Sequence, residues 1–128
     1  MKFSRFFLTF FLFFFFLGTS SAQNCTLLKN NSFTYRAAKN NVLVEFKEKE
    51  YIEYHLNKKY YIKSKIEWVS DCEYYLVIEE STLPDFPFEK GTKMHIIVTQ
   101  VKGNKVYYKS SLAGRIWEGK MKKVRKKS

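Results

Sequence analysis

The stretch Tyr60-Tyr61-Ile62-Lys63-Ser64-Lys65-Ile66-Glu67-Trp68-Val69 decides the fold class. Ile62, Ser64, Ile66 and Trp68 fall on one side, and Lys63, Lys65 and Glu67 on the other. Alternation with period two over ten residues is the pattern of an antiparallel strand with one face on a core and one face in water. No helical repeat fits the same residues.

Reading outward, the pattern recurs between polar breaks. Phe33 and Tyr35 alternate within residues 32–37, and Lys39-Asn40-Asn41 is a turn signal. Val42, Val44 and Phe46 alternate with Leu43, Glu45 and Lys47. Residues 51–56 are β-formers, closed by Asn57-Lys58-Lys59. Beyond the central strand, Ser70-Asp71-Cys72 turns the chain into a run over 73–79. Residues 81–92 hold both prolines and form the one long loop. Met94, Ile96 and Val98 alternate again, and Lys102-Gly103-Asn104-Lys105 is a hairpin turn before 106–110. The end reads two ways. Ile116, Trp117, Met121 and Val124 could stripe a helix, whereas Trp117, Gly119 and Met121 could share one face of a closing strand. Gly119 weakens a helix by about 1 kcal/mol relative to Ala, so the strand is favoured. Strands every 8–12 residues joined by short turns give an all-β domain. The expected form is a single small antiparallel meander, either a lipocalin-like barrel or a strongly curved sheet.

The N-terminus has a different character. Lys2 and Arg5 precede an apolar run, Phe6 to Leu17, and Gly18-Thr19-Ser20-Ser21-Ala22 follows. A basic start, a short apolar stretch and small residues make a secretory signal cleaved after Ala22. A spanning helix needs roughly 20 apolar residues, so the run is too short for an anchor. Asn24 before Cys25 fits lipidation poorly. The division expected is a signal peptide at 1–22, a β-rich domain at 23–119 and a basic tail at 120–128. The localisation implied is export, to periplasm or beyond, with no transmembrane span in the mature chain.

Removing the signal leaves 21 of the 23 bases against all 12 acids. Six of those bases are Lys120, Lys122, Lys123, Arg125, Lys126 and Lys127, so the charge excess is concentrated at the C-terminus. Such a run adheres to polyanions. Cys25 and Cys72 are the only cysteines. In an exported chain an even pair points to a bridge rather than two buried thiols.

Catalytic patterns are missing: no nucleophile elbow, zinc-helix motif, phosphate-gripping glycine loop or Cys-x-x-Cys. His55 and His95 lie on separate strands and read as packing or surface residues. Asp71 beside Cys72 suits a turn better than an activated thiol, because a neighbouring carboxylate raises a thiol's pKa. Asp85, Phe86 and Phe88, in the proline loop, are candidates for the mouth of a pocket. The doublets Tyr60-Tyr61, Tyr74-Tyr75 and Tyr107-Tyr108 should each bury one ring and expose the other.

The string from Ser64 to Leu76 resembles a group of small secreted proteins of Bacteroidota, over the whole mature chain. Cys25, Lys29, Phe33, Tyr35, Gly91-Thr92-Lys93 and Met121 to Val124 add to the likeness. That group has no assigned activity; some members carry a DNA topoisomerase label. A chain this short, without an ATP-binding motif or the acidic motif of a Toprim domain, does not support that label. The resemblance implies export and the Cys25–Cys72 bridge, and no mechanism.

These readings lead to two expectations. The first is a non-enzymatic exported binding module for a small hydrophobic ligand or an extracellular partner, without a cofactor or metal. The second is an envelope-associated protein whose cationic tail binds anionic surface polymers. Sequence-specific nucleic-acid binding is not expected.

Overall fold

The computed structural model describes residues 24–125. The signal-peptide reading of 1–22 and the bases Lys126 and Lys127 therefore lie outside the described residues. Eight strands follow one short 3-10 turn, Thr26–Leu28. They are β1 (Ser32–Ala37), β2 (Asn40–Phe46), β3 (Glu50–His55), β4 (Tyr60–Ser70), β5 (Glu73–Ser81), β6 (Lys93–Lys102), β7 (Lys105–Leu112) and β8 (Arg115–Lys123). Every neighbour is antiparallel, and the order β1 to β8 closes on itself. Of the two expected forms, the sheet takes the barrel. Closure leaves no long unpaired edge.

The faces follow the alternation. Val42, Val44 and Phe46 are buried along β2, Ile62, Ser64 and Ile66 along β4, and Ile96 and Val98 along β6. The doubtful C-terminal segment is the strand. Trp117 pairs with Ser110, Gly119 with Tyr108 and Met121 with Val106, and Met121 is 3% exposed. This moves the boundary set at residue 119. Lys120, Lys122 and Lys123 belong to β8 rather than to a tail, because Met121 fills the core and holds its neighbours in the strand. The seam is short: Phe33 pairs with Lys123 and Thr34 with Lys122. The Val124 amide extends it by donating to the Ser32 carbonyl at 2.8 Å.

Hairpin chemistry explains the tight reversals. Ala113 and Gly114 both have positive φ, 50° and 81°, which suits a two-residue turn of the twist that antiparallel strands favour. The first reversal uses Ala38, at φ 55°, and pairs Ala37 directly with Asn40, so Asn40 and Asn41 extend β2 rather than form the turn. At the β4–β5 reversal the Cys72 amide donates to Ser70 Oγ at 3.2 Å. Asp71 instead pairs with Lys29 Nζ at 3.3 Å.

The reversals after β1, β3, β5 and β7 gather at one end of the barrel; the others gather with both termini at the opposite end. That second end is plugged. The 3-10 turn lays Leu28 into the barrel at 0% exposure, and Cys25 is disulfide-bonded to Cys72, with 5.2 Å between Cα atoms. Above the plug lies an aromatic cluster centred on Phe46. Its ring meets Phe33 edge-on at 5.5 Å, Tyr51 at 5.1 Å and Tyr74 at 5.7 Å. Trp68 completes the cluster, 5.1 Å from Tyr74. Edge-to-face aromatic pairs each add about 0.5–1.5 kcal/mol beyond area burial. Among the described residues no helix is long and apolar enough to cross a membrane.

Candidate functional site

The end opposite the plug is not filled. Between the aromatic floor and the 82–92 connection lies a cavity of about 390 Å³. Tyr51, Tyr74 and Met121 line its base, Tyr35, Glu53, Leu76, Ile96 and Tyr108 its walls, and Met94, Trp117 and Phe88 its rim. The strands supply these residues because each wall position shares parity with a buried core position of the same strand. Tyr35 follows Phe33, Leu76 follows Tyr74, and Tyr108 follows Val106.

Strand β3 breaks the usual distribution. Tyr51 points inward, so Glu53 and His55 share its face, while Ile52 on the other face is nonetheless 8% exposed. Glu53 thus brings a carboxylate into the barrel. The Tyr35 hydroxyl donates to Glu53 Oε1. His55 Nε2 lies 3.5 Å from the same oxygen without making a hydrogen bond, and that nitrogen is buried. Both contacts fall on Oε1, and Glu53 is one of the residues that line the cavity.

The phenols register this setting. Burial first, and the Glu53 carboxylate second, push the Tyr108 hydroxyl up to about 12. The same two causes raise Tyr35 and Tyr51 well above the ordinary tyrosine value. Burial also raises Tyr74, with Tyr108 and Glu53 adding to it. Ionising any of these rings would put a second negative charge in a place poor in water.

Of the residues singled out for a pocket mouth, Phe88 reaches the cavity rim. Phe86 packs edge-on against Phe88 at 5.6 Å, and with the exposed Asp85 it lines a separate depression between the loop and the end of β5. Among the basic residues, Lys120 and Lys122 point outward on β8, and Arg125 is exposed just after it. The two histidines part company. His95 lies outside the barrel, where Nε2 meets Glu73 Oε2 at 2.7 Å and the ring stacks on Tyr75 at 4.7 Å. Lys93 Nζ lies 4.5 Å from the centre of the Tyr75 ring, so this outward tyrosine is already engaged by neighbours. Tyr61 is likewise tied down, donating to Glu80 Oε1 at 2.6 Å. Tyr74 and Tyr108 are the inward members of their doublets.

Glu53 did not stand out in the sequence. Its one signal is shared parity with Tyr51 on a strand whose opposite face carries Ile52 and Tyr54, so neither face is plainly the dry one. No family model, no curated protein and no solved structure matches the chain.

Proposed function

We propose that the protein is an exported, non-enzymatic binding module that holds a small, largely apolar molecule in the barrel. The observation that carries this reading is the cavity itself: about 390 Å³, bounded by tyrosines below and by Trp117 and Phe88 at the rim. Ligand pockets fall in the range of roughly 300–1,000 Å³ and combine apolar walls with a few placed polar groups. The plug at the far end supports the same reading. It fixes the aromatic floor and leaves the loop-covered end as the way in. Export rests on the leader-like residues 1–22 and on the bridged cysteines.

The test is uptake of N-phenyl-1-naphthylamine, an apolar dye that brightens when it leaves water. The wild-type protein should take it up at about micromolar concentration, equivalent to roughly −8 kcal/mol. Met94→Trp, which fills the rim, should weaken uptake at least tenfold with an unchanged circular dichroism spectrum. Absence of dye uptake by the wild type, or equal uptake by the variant, rejects the reading.

A further inference from the structure

We propose that the molecule held in the barrel is an organic cation, an amine on an apolar body, whose ammonium group sits against Glu53. The proposal rests on the binding reading above and narrows it to a charge class.

The distribution of charge is the first argument. The chain has 23 lysines and arginines against 12 acids, yet among the described residues neither a lysine nor an arginine lines the cavity. Glu53 stands in the wall, and Glu118 lies at the rim. A basic protein has kept its bases out of this space and put carboxylates in it.

The state of Glu53 is the second argument. Its side chain is 17% exposed. A carboxylate withdrawn from water is expensive unless it is paired. The groups that face it are the Tyr35 hydroxyl from β1, His55 from its own strand, and the phenols of Tyr51, Tyr74 and Tyr108 from β3, β5 and β7. Phenols are neutral donors, and only one of these hydroxyls bonds the carboxylate among the described residues. His55 approaches Oε1 without hydrogen-bond geometry. The contacts from the protein fall on Oε1, so a carboxylate that lines the cavity has acceptor capacity for a donor from the ligand.

The rings are the third argument. Tyrosine and tryptophan faces are negative and attract ammonium groups. A cage of tyrosines around one carboxylate suits a positive head, with Leu76, Ile96 and Met94 for an apolar body. A fatty carboxylate would instead set like charge against Glu53, and a neutral ligand, even one donating a hydroxyl to the carboxylate, would leave its charge without a counter-charge.

Three probes of one skeleton separate the possibilities: phenylbutylamine, phenylbutanol and phenylbutanoate, titrated calorimetrically into the mature protein at neutral pH. The amine should bind at least tenfold tighter than the alcohol, and the carboxylate weakest. Glu53→Gln keeps an acceptor for Tyr35 and should bring the amine-to-alcohol ratio close to one. Glu89→Gln, on the exposed loop and outside the cavity, should leave the ratio as in the wild type. If alcohol and amine bind equally, or the carboxylate binds best, the cation proposal is overturned while the apolar-cavity reading stands. If none of the three binds and the naphthylamine dye is also refused, both readings fall. The wild-type ranking decides the question even if Glu53→Gln does not fold.

Discussion

Gly119 has no side chain where the ring of Tyr108 crosses strand β8: a Cβ at that position would come within 2.6 Å of Cε2 and of the hydroxyl oxygen. The two residues are directly paired across β7 and β8, so neither can move aside without disturbing the ladder. The glycine therefore lets a tyrosine lie flat against the barrel wall and shape the cavity.

Gly119→Ala should accordingly destabilise the protein by about 1–3 kcal/mol, the usual range for forcing extra atoms into a packed interior. Urea unfolding followed by tryptophan fluorescence will measure it. In a Tyr108→Ala background the same substitution should have little effect, since residues in contact couple and separated ones add. An equal loss in both backgrounds would separate the glycine from the tyrosine.

Replacing both Cys25 and Cys72 with serine should lower stability by about 2–4 kcal/mol, because the bridge closes a long loop in the unfolded chain. The chemical-denaturation midpoint should fall, with the barrel still formed below it. Phe46→Ala acts through packing instead. Removing the ring at the centre of the aromatic floor should cost about 3–5 kcal/mol, read from the same denaturation curve.

The buried phenols give an alkaline prediction. The hydroxyls of Tyr35, Tyr51, Tyr74 and Tyr108 are all raised, chiefly by burial. The folded state then holds protons that the unfolded state releases near pH 10. Their contribution to stability is full below that pH and is lost as pH rises through the folded values. Ultraviolet titration should show these four rings ionising late, Tyr108 near 12, and together with unfolding. A single transition for all nine tyrosines near pH 10 would contradict the burial described.

Truncation separates strand from tail. Ending the chain after Arg125 should leave the denaturation midpoint unchanged. Ending it after Gly119 removes Met121 and the seam with β1 and should prevent folding, as judged by circular dichroism. Any test of polyanion binding by the C-terminal bases is therefore better made by reversing charge at Lys122 and Arg125 than by deleting residues 120–128.

The strands were legible wherever sequence polarity and side-chain burial agree. Ile62 to Trp68, Val42 to Phe46 and Met94 to Val98 all obey that rule, and Gly119 correctly argued against a terminal helix. Strand β3 was legible as a strand but not by face. Glu53 points in and Ile52 points out, so polarity there misreports orientation. An inward carboxylate is also the position that general burial preferences penalise most, which is why the residue most suggestive of chemistry was the hardest to see. The ends of the aromatic loop divided: Phe88 reaches the rim, whereas Asp85, at φ 58°, is exposed.

The bridge and the seam lie on different sides of the barrel, and that separation has a mechanical meaning. Strand β1 is held along its full length by β2 but meets β8 at only two paired positions, so thermal opening is expected to begin there. The segment that leads into β1 is chained through Cys25 to Cys72, in the turn between β4 and β5. A first strand that lets go of its weaker neighbour stays leashed to the remote wall, and it recloses on its own partner before its bare backbone can recruit another molecule. Amide exchange at Val124, whose N–H donates across the seam to the Ser32 carbonyl, should then be rapid yet harmless in the oxidised protein, whereas reduction should turn the same fluctuation into a route to aggregates.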